Sequence, residues 1–436
     1  GENPQNSSRA MMMEGRAAAA AASAVLDNDD LLGEILLRLA FPTSLVRAAL
    51  VCKRWLRLVS APAFLRHFRH LHPPHLLGFY VTTHKNPPRF VPMPQPPELA
   101  SVFRHASFEL DMMGSDMIGI DYCRNGLLII ITSRRCHGAL ATYQTSVRCP
   151  LYPRRHISFL PPVPKTSING GLTCYRCDIL TNGGGDDGQS YFCLVIRSKE
   201  QHSVLDVYVL EKDTWAMYSS AVTEIRKIDL LLPRSLILDG MIYNLALVGG
   251  TYKLVSLDVS SARLSLVNLP EEVVELLRTD LSLENDDSEV HLIYVRGSQL
   301  RIWLYMVDND DGTLNSWLLV DTICLLRICA ANHMMPTSIF EDVDDSELLV
   351  YAVGVDSGLF FLEKDEVLYL FDIKRKTAKM VFAATQEDKR LYEFIPFMMV
   401  WPPKFPVMTD EGCDPKIMTS QQGSQNNGIK FRNKSS

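Results

Sequence analysis

The 436-residue sequence predicts an α+β multidomain protein, a small N-terminal unit of three or four helices followed by a large, mostly antiparallel β domain. Three observations lead there. Apolar residues between Leu31 and Leu71 recur at helical spacing. From about residue 100 to 405, short apolar runs alternate with Gly, Asp and Asn turns. Between the two patterns lies a proline-rich stretch, which neither a helix interior nor a central strand tolerates. The predicted organisation is therefore 1–25 disordered, 26–72 helical, 73–99 a Pro-rich connection, 100–405 the β domain and 406–436 a disordered tail.

Taken in order, the first 25 residues are polar and then alanine-rich, with no periodicity that could build a core. Asn28, Asp29 and Asp30 supply capping side chains and negative charge for a helix start. Leu31, Leu32, Ile35, Leu36 and Leu39 then fall on one stripe, with Glu34 and Arg38 paired at i,i+4 on the other side. Pro42 stops this helix and Thr43 or Ser44 caps the next, which places Leu45, Ala48, Ala49 and Cys52 on one face. A third helix from about Lys53 aligns Cys52, Trp55, Leu56 and Val59. A fourth starts at Pro62 and ends at Pro73 and Pro74. So small a unit buries a small fraction of its surface, so several of its apolar positions call for a partner.

The stretch PPRFVPMPQPP reads as an extended, semi-rigid bridge. Beyond it a unit recurs, an apolar strand, an acidic turn and a short hydrophobic strand: Val207–Tyr218, Leu254–Val267, Ile302–Val320 and Leu368–Phe382. The residue before each acid, Leu210, Leu257, Val307 and Phe371, gives spacings of 47, 50 and 64. Each hairpin follows another apolar strand, at Tyr191–Ile196, Met241–Val248, Val290–Val295 and Leu348–Val353, and Cys123–Thr132 and Leu172–Leu180 extend the series. Three or four strands at such a period are what a β-propeller blade requires. A β-sandwich or irregular mixed sheet is the runner-up. The blade number is left open. After Trp401-Pro402-Pro403 the chain turns Gln-, Asn-, Ser- and Gly-rich, as a disordered tail does.

The helical stretch resembles the F-box motif in the form common in grass F-box proteins. The resemblance rests on Asp30, Leu31, Leu32, Glu34, Ile35, Leu36, Leu39, Leu45, Arg47, Ala48, Val51, Cys52, Lys53, Trp55, Leu58 and Val59. Two positions depart from the pattern, Asn28 and Ala40, where the family usually has proline. The β domain resembles the F-box-associated β-propellers of plant F-box proteins, on the order of its elements. Together these imply a non-catalytic substrate-recognition subunit of an SCF-type E3 ubiquitin ligase. The helical unit would dock a Skp-type adaptor, and through it a cullin, while the β domain takes a protein substrate that the sequence does not identify. The implied adaptor contact is Leu31, Leu32, Ile35, Leu36, Leu45, Val51 and Trp55, with Lys53 and Arg54 on its rim. The alternative is an F-box scaffold that turns over no substrate.

Other chemistry has little support. Cys174 and Cys177 form a lone C-x-x-C without the further paired ligands of a zinc site. The Asp308–Gly312 run lacks the glycine position and closing glutamate of a calcium loop, and it reads as a hairpin tip, as do Asp342, Asp344, Asp345 and Glu347. Gly183–Gly185 lacks the Lys-Ser/Thr of a phosphate loop. His67, His70, His72 and His75 read as a solvated helix face or adaptor rim, not a metal site. Catalytic motifs, including the Ser-x-Asp-x-Gly-x-x-Trp boxes of sialidase propellers, are not found, and no cofactor is expected.

A net charge of −6 gives no general reason to expect nucleic acid, and no apolar run reaches the roughly 18 residues of a membrane span. The Ala17–Ala22 run is too short and weakly apolar for a leader core. Ten cysteines, mostly within apolar runs, fit free thiols in a reducing compartment. The expected location is intracellular, in cytoplasm, nucleus or both.

Overall fold

The computed structural model describes residue 16, residues 20–72 and 75–110, most of 117–399, and residue 405. Within 117–399 it leaves out 125, 135–141, 153–157, 163–174, 183–189, 199–201, 226–227, 231–235, 239, 262, 274–278, 285–288, 307–315, 332–339, 341–347, 355–356 and 389. The described residues form two compact units that divide between Phe68 and Arg69.

The first unit is helical. Residues 20–27 are helical and mostly exposed, where disorder was expected up to residue 25. The alanine run explains the difference, because alanine is the best helix former and needs no buried face to adopt the conformation. Helix α1 (Asp29–Leu37) starts as the sequence predicts: the Asn28 carboxamide oxygen accepts from Asp30 N at 2.9 Å and Leu31 N at 3.1 Å. Helix α2 (Pro42–Ala49) differs from expectation at its start. Pro42 is its first residue, Phe41 holds the cap position with no side-chain bond, and neither Thr43 nor Ser44 caps it. Helices α3 (Lys53–Ser60) and α4 (Pro62–Leu71) follow, the last crossing the division between the units. Leu32, Leu36, Leu45, Ala49, Val59, Phe64 and Phe68 are buried, with the Phe64 and Phe68 rings stacked at 6.2 Å.

Among the described residues, the second unit is a ring of six antiparallel sheets. One joins the two ends of the unit: β1 (Leu76–Thr83) lies between β2 (Arg89–Pro92) and β24 (Leu391–Met398). The other five follow in chain order. They comprise β3 (Met117–Arg124), β4 (Leu127–Arg134), β5 (Thr142–Arg148) and β6 (Ser158–Phe159); then β7 (Tyr175–Asn182), β8 (Ser190–Ser198), β9 (Ser203–Glu211) and β10 (Thr214–Thr223). The next has β11 (Ile228–Leu230) and β12 (Leu236–Leu238) both paired with β13 (Met241–Val248), then β14 (Thr251–Asp258) and β15 (Arg263–Asn268). The last two are β16 (Thr279–Glu284), β17 (Glu289–Arg296), β18 (Gln299–Met306) and β19 (Ser316–Cys324), and β20 (Leu348–Gly354), β21 (Leu359–Lys364), β22 (Val367–Asp372) and β23 (Thr377–Ala383).

Successive residues of a strand point to opposite faces, so each inner strand packs against both neighbouring sheets. Ile242 packs with Leu194 and Val207 of the preceding sheet, while Tyr243 packs with Leu292 and Tyr294 of the following one. Ile293 and Val295 then meet Phe360 and Leu362, Phe361 meets Phe79 and Phe394, and Ile129 and Val147 meet Tyr191 and Trp215. The Cys123 thiol donates to the Pro396 carbonyl at 3.4 Å, which links the joining sheet to the one after it and closes the ring. This is why the middle strands read as continuous apolar runs. The outer strands β10 and β19 are less covered, and Met217, Tyr218, Val222, Leu318, Leu319 and Val320 are exposed there. Tight two-residue turns join β9 to β10 and β21 to β22. Lys212 and Asp213, and Asp365 and Glu366, all adopt positive φ, the mirror-image turn geometry that matches strand twist.

The joining sheet departs from the sequence reading, which assigned residues 73–99 to a connection. Leu76–Thr83 is a central strand there, because its partner Leu391–Met398 lies some 300 residues away and no local pattern reveals it. The PPRFVPMPQPP stretch itself is extended as predicted, with β2 as an edge strand. The β1–β2 approach depends on Gly78, where a Cβ would come within 2.4 Å of the Phe90 ring and 2.5 Å of the Val91 carbonyl oxygen. Asp388, buried ahead of β24, accepts from Thr83 Oγ1 (3.1 Å), Asn86 Nδ2 (2.7 Å), and Thr385 N and Oγ1 (3.1 and 2.9 Å). Those hydrogen bonds, led by the Thr385 backbone, hold its carboxyl at a pKa of about 2.

Candidate adaptor-docking surface

In the helical unit the predicted apolar stripe of α1 splits in two. Leu32 and Leu36 are buried with Gly33 and Leu37, whereas Leu31 is 47% and Ile35 42% exposed, one turn apart on the outer side. Leu45 of α2 is fully buried, and Trp55 of α3 is half-buried. Val51, in the turn between α2 and α3, is 63% exposed and its neighbour Leu50 51%. Of the apolar residues expected at the docking contact, Leu32, Leu36 and Leu45 are buried in the unit's own core. Their side chains fill the space between short helices that have little else to bury. Leu31, Ile35 and Val51 face outward.

Lys53 is exposed at the first position of α3. Arg54 is not a free rim group. Its guanidinium donates to the Asp29 carboxylate at 2.7 and 2.8 Å and to the carbonyls of Leu26 and Asp27, each at 2.7 Å. A cation at a helix N-terminus opposes the helix dipole; the Asp29 pairing offsets this. This fork ties the start of α3 to the start of α1. Its partner is 25 residues away in sequence, so spacing could not have revealed it. Leu26, just before α1, is 39% exposed, and Leu50 adjoins Val51.

Asn28 and Ala40 depart from the F-box pattern without breaking the helices. Asn28 replaces the usual proline by a working cap, and Ala40 sits exposed in the α1–α2 turn. His67 and His70 lie exposed on α4, and among the described residues no group of three His, Cys, Asp or Glu side chains could hold a metal ion. Cys174, the Asp308–Gly312 run, Gly183–Gly185, and Asp342, Asp344 and Asp345 lie outside the described residues, as does the tail from 406.

Comparison with known families matches both units. Residues 29–72 match the family described as F-box-like. Residues 119–405, about two thirds of the chain, match the β-propeller of the F-box protein AT5G49610-like family. The chain belongs to that F-box β-propeller family. No curated protein matches the sequence. Among solved structures, similarity is remote. The extracellular domain of BT4673 from B. thetaiotaomicron is 11% identical (TM-score 0.29), over 64% of this chain and 29% of that one. A prolyl endopeptidase is 12% identical (0.33; 67% and 46%), and oligopeptidase B from Leishmania major is 12% identical (0.33; 72% and 48%). The chain thus spans less than half the length of each of these three. At such scores the likeness carries no argument about activity. Among the described residues, no helix is long and apolar enough to cross a membrane.

Proposed function

We infer that this F-box protein is the non-catalytic substrate receptor of an SCF-type ubiquitin ligase. Its helical unit docks a Skp-type adaptor, which connects it to a cullin, and its propeller holds a protein substrate. The observation that carries the reading is the outward-facing apolar set Leu31, Ile35 and Val51 on a unit whose core is already filled by Leu32, Leu36 and Leu45. Three apolar side chains left half exposed on so small a unit fit a partner's apolar groove. Covering them returns about 1 to 1.5 kcal/mol each, so about 3 to 4.5 kcal/mol in all, a factor of roughly 10² to 10³ in affinity. Ubiquitin transfer belongs to other subunits, and this chain contributes proximity.

The test is co-purification of the full chain with a Skp-type adaptor. Wild type is expected to retain the adaptor, and Leu31→Asp with Val51→Asp to lose it while the thermal melt stays unchanged. Retention by the double variant, or no adaptor with wild type, would sink the reading. Cytoplasm or nucleus is the location this role requires.

A further inference from the structure

Charge in the helical unit is segregated in a way that the net charge of the chain conceals. Residues 27–34 carry Asp27, Asp29, Asp30 and Glu34 and no Lys or Arg. Residues 35–68 carry Arg38, Arg47, Lys53, Arg54, Arg57 and Arg66 and no Asp or Glu, in a chain whose total is −6. The four acids are all exposed at or near α1, and Arg38, Arg47, Arg57 and Arg66 are exposed at the end of α1 and on α2, α3 and α4. Of the six cations, Arg54 is taken up by Asp29. The apolar set Leu31, Ile35, Leu50 and Val51 lies in the same unit, with Leu31 and Ile35 on the acidic helix and Leu50 and Val51 just before the basic α3.

We propose that the partner seated on this apolar set is an acidic protein surface, and that Arg47, Arg57 and Arg66 steer it into place. The proposal rests on the receptor reading above and gives the adaptor's docking face its chemistry. A phosphate polymer fits less well, because the exposed acids of α1 would repel a uniformly negative backbone beside the very apolar residues that need covering. A protein surface can place acids opposite α2–α4 and none opposite α1. Such complementarity acts mainly on the association rate and weakens as salt screens it over about 10 Å at 0.1 M.

The experiment measures association and dissociation rates of the full chain with a purified Skp-type adaptor between about 0.05 and about 0.5 M salt. The on-rate should fall about tenfold or more across that range. Arg57→Glu with Arg66→Glu should slow association about tenfold at low salt, lose its effect at high salt, and leave the off-rate within about threefold. Glu34→Lys should not slow association. Adaptor binding at a rate indifferent to salt and to the arginine reversals would overturn the proposal while leaving the receptor reading intact. Tighter binding of a DNA or RNA oligonucleotide than of the adaptor would overturn it in favour of a phosphate polymer. Absence of adaptor binding at every salt removes both.

Discussion

Phe79→Ala tests whether the segment after the helices is part of the propeller ring or a connection leading to it. Phe79 is fully buried in β1, with its ring 5.1 Å from Phe394 of β24 and 5.8 Å, edge-on, from Phe361 of the neighbouring sheet. Truncation removes the transfer energy of a buried aromatic side chain and leaves a cavity between two sheets, about 3 to 5 kcal/mol. The unit runs from Arg69 to Trp401, 333 residues. At about 2 cal/mol/K per residue its unfolding entropy is about 0.7 kcal/mol/K, so the melting temperature should drop by about 4 to 7 °C. The assay is thermal unfolding followed by the β-sheet circular dichroism of the full chain, with Phe79→Leu as the milder control. A residue in a mere connection would change stability by under about 0.5 kcal/mol. A shift below 1 °C would refute the closure of the ring through Leu76–Thr83.

Other perturbations probe the same architecture. Gly78→Ala drives a Cβ against the Phe90 ring and the Val91 carbonyl, and should cost about 1 to 3 kcal/mol in urea unfolding. Asp388 has a folded-state pKa of about 2, below its ordinary 3.8. Its contribution is therefore present above pH 4 and lost as pH falls from about 4 to about 2, so Asp388→Asn should flatten the acid limb of a stability-versus-pH curve over that window. Trp317→Phe removes the indole bond to the Asn268 carbonyl at 2.9 Å, which ties β19 to the preceding sheet. The expected loss is about 0.5 to 1.5 kcal/mol by urea melt.

The parts legible in the sequence are those set by local physics. Asn28 reads as a cap because its carboxamide oxygen accepts from the backbone amides two and three residues on, and the middle strands read as strands because both faces are buried. What spacing could not supply is long-range pairing. Leu76–Thr83 needed a partner at the other end of the chain, and Arg54 needed Asp29 from another helix. The sequence reading places Leu348–Val353 directly before the hairpin at Leu368–Phe382, whereas in the sheet β21 lies between them. In α1 the apolar stripe was wider than one buried face, and only packing separates Leu32 and Leu36, inside, from Leu31 and Ile35, outside.

The central claim is that the chain recruits a protein for turnover, and the most direct measurement is protein abundance after the chain is deleted. On the receptor account, at least one protein bound by the propeller accumulates. Wild type restores its normal level, and Leu31→Asp with Val51→Asp, though folded, does not. If nothing that the propeller binds accumulates, or if the double variant restores turnover as well as wild type does, the account is wrong.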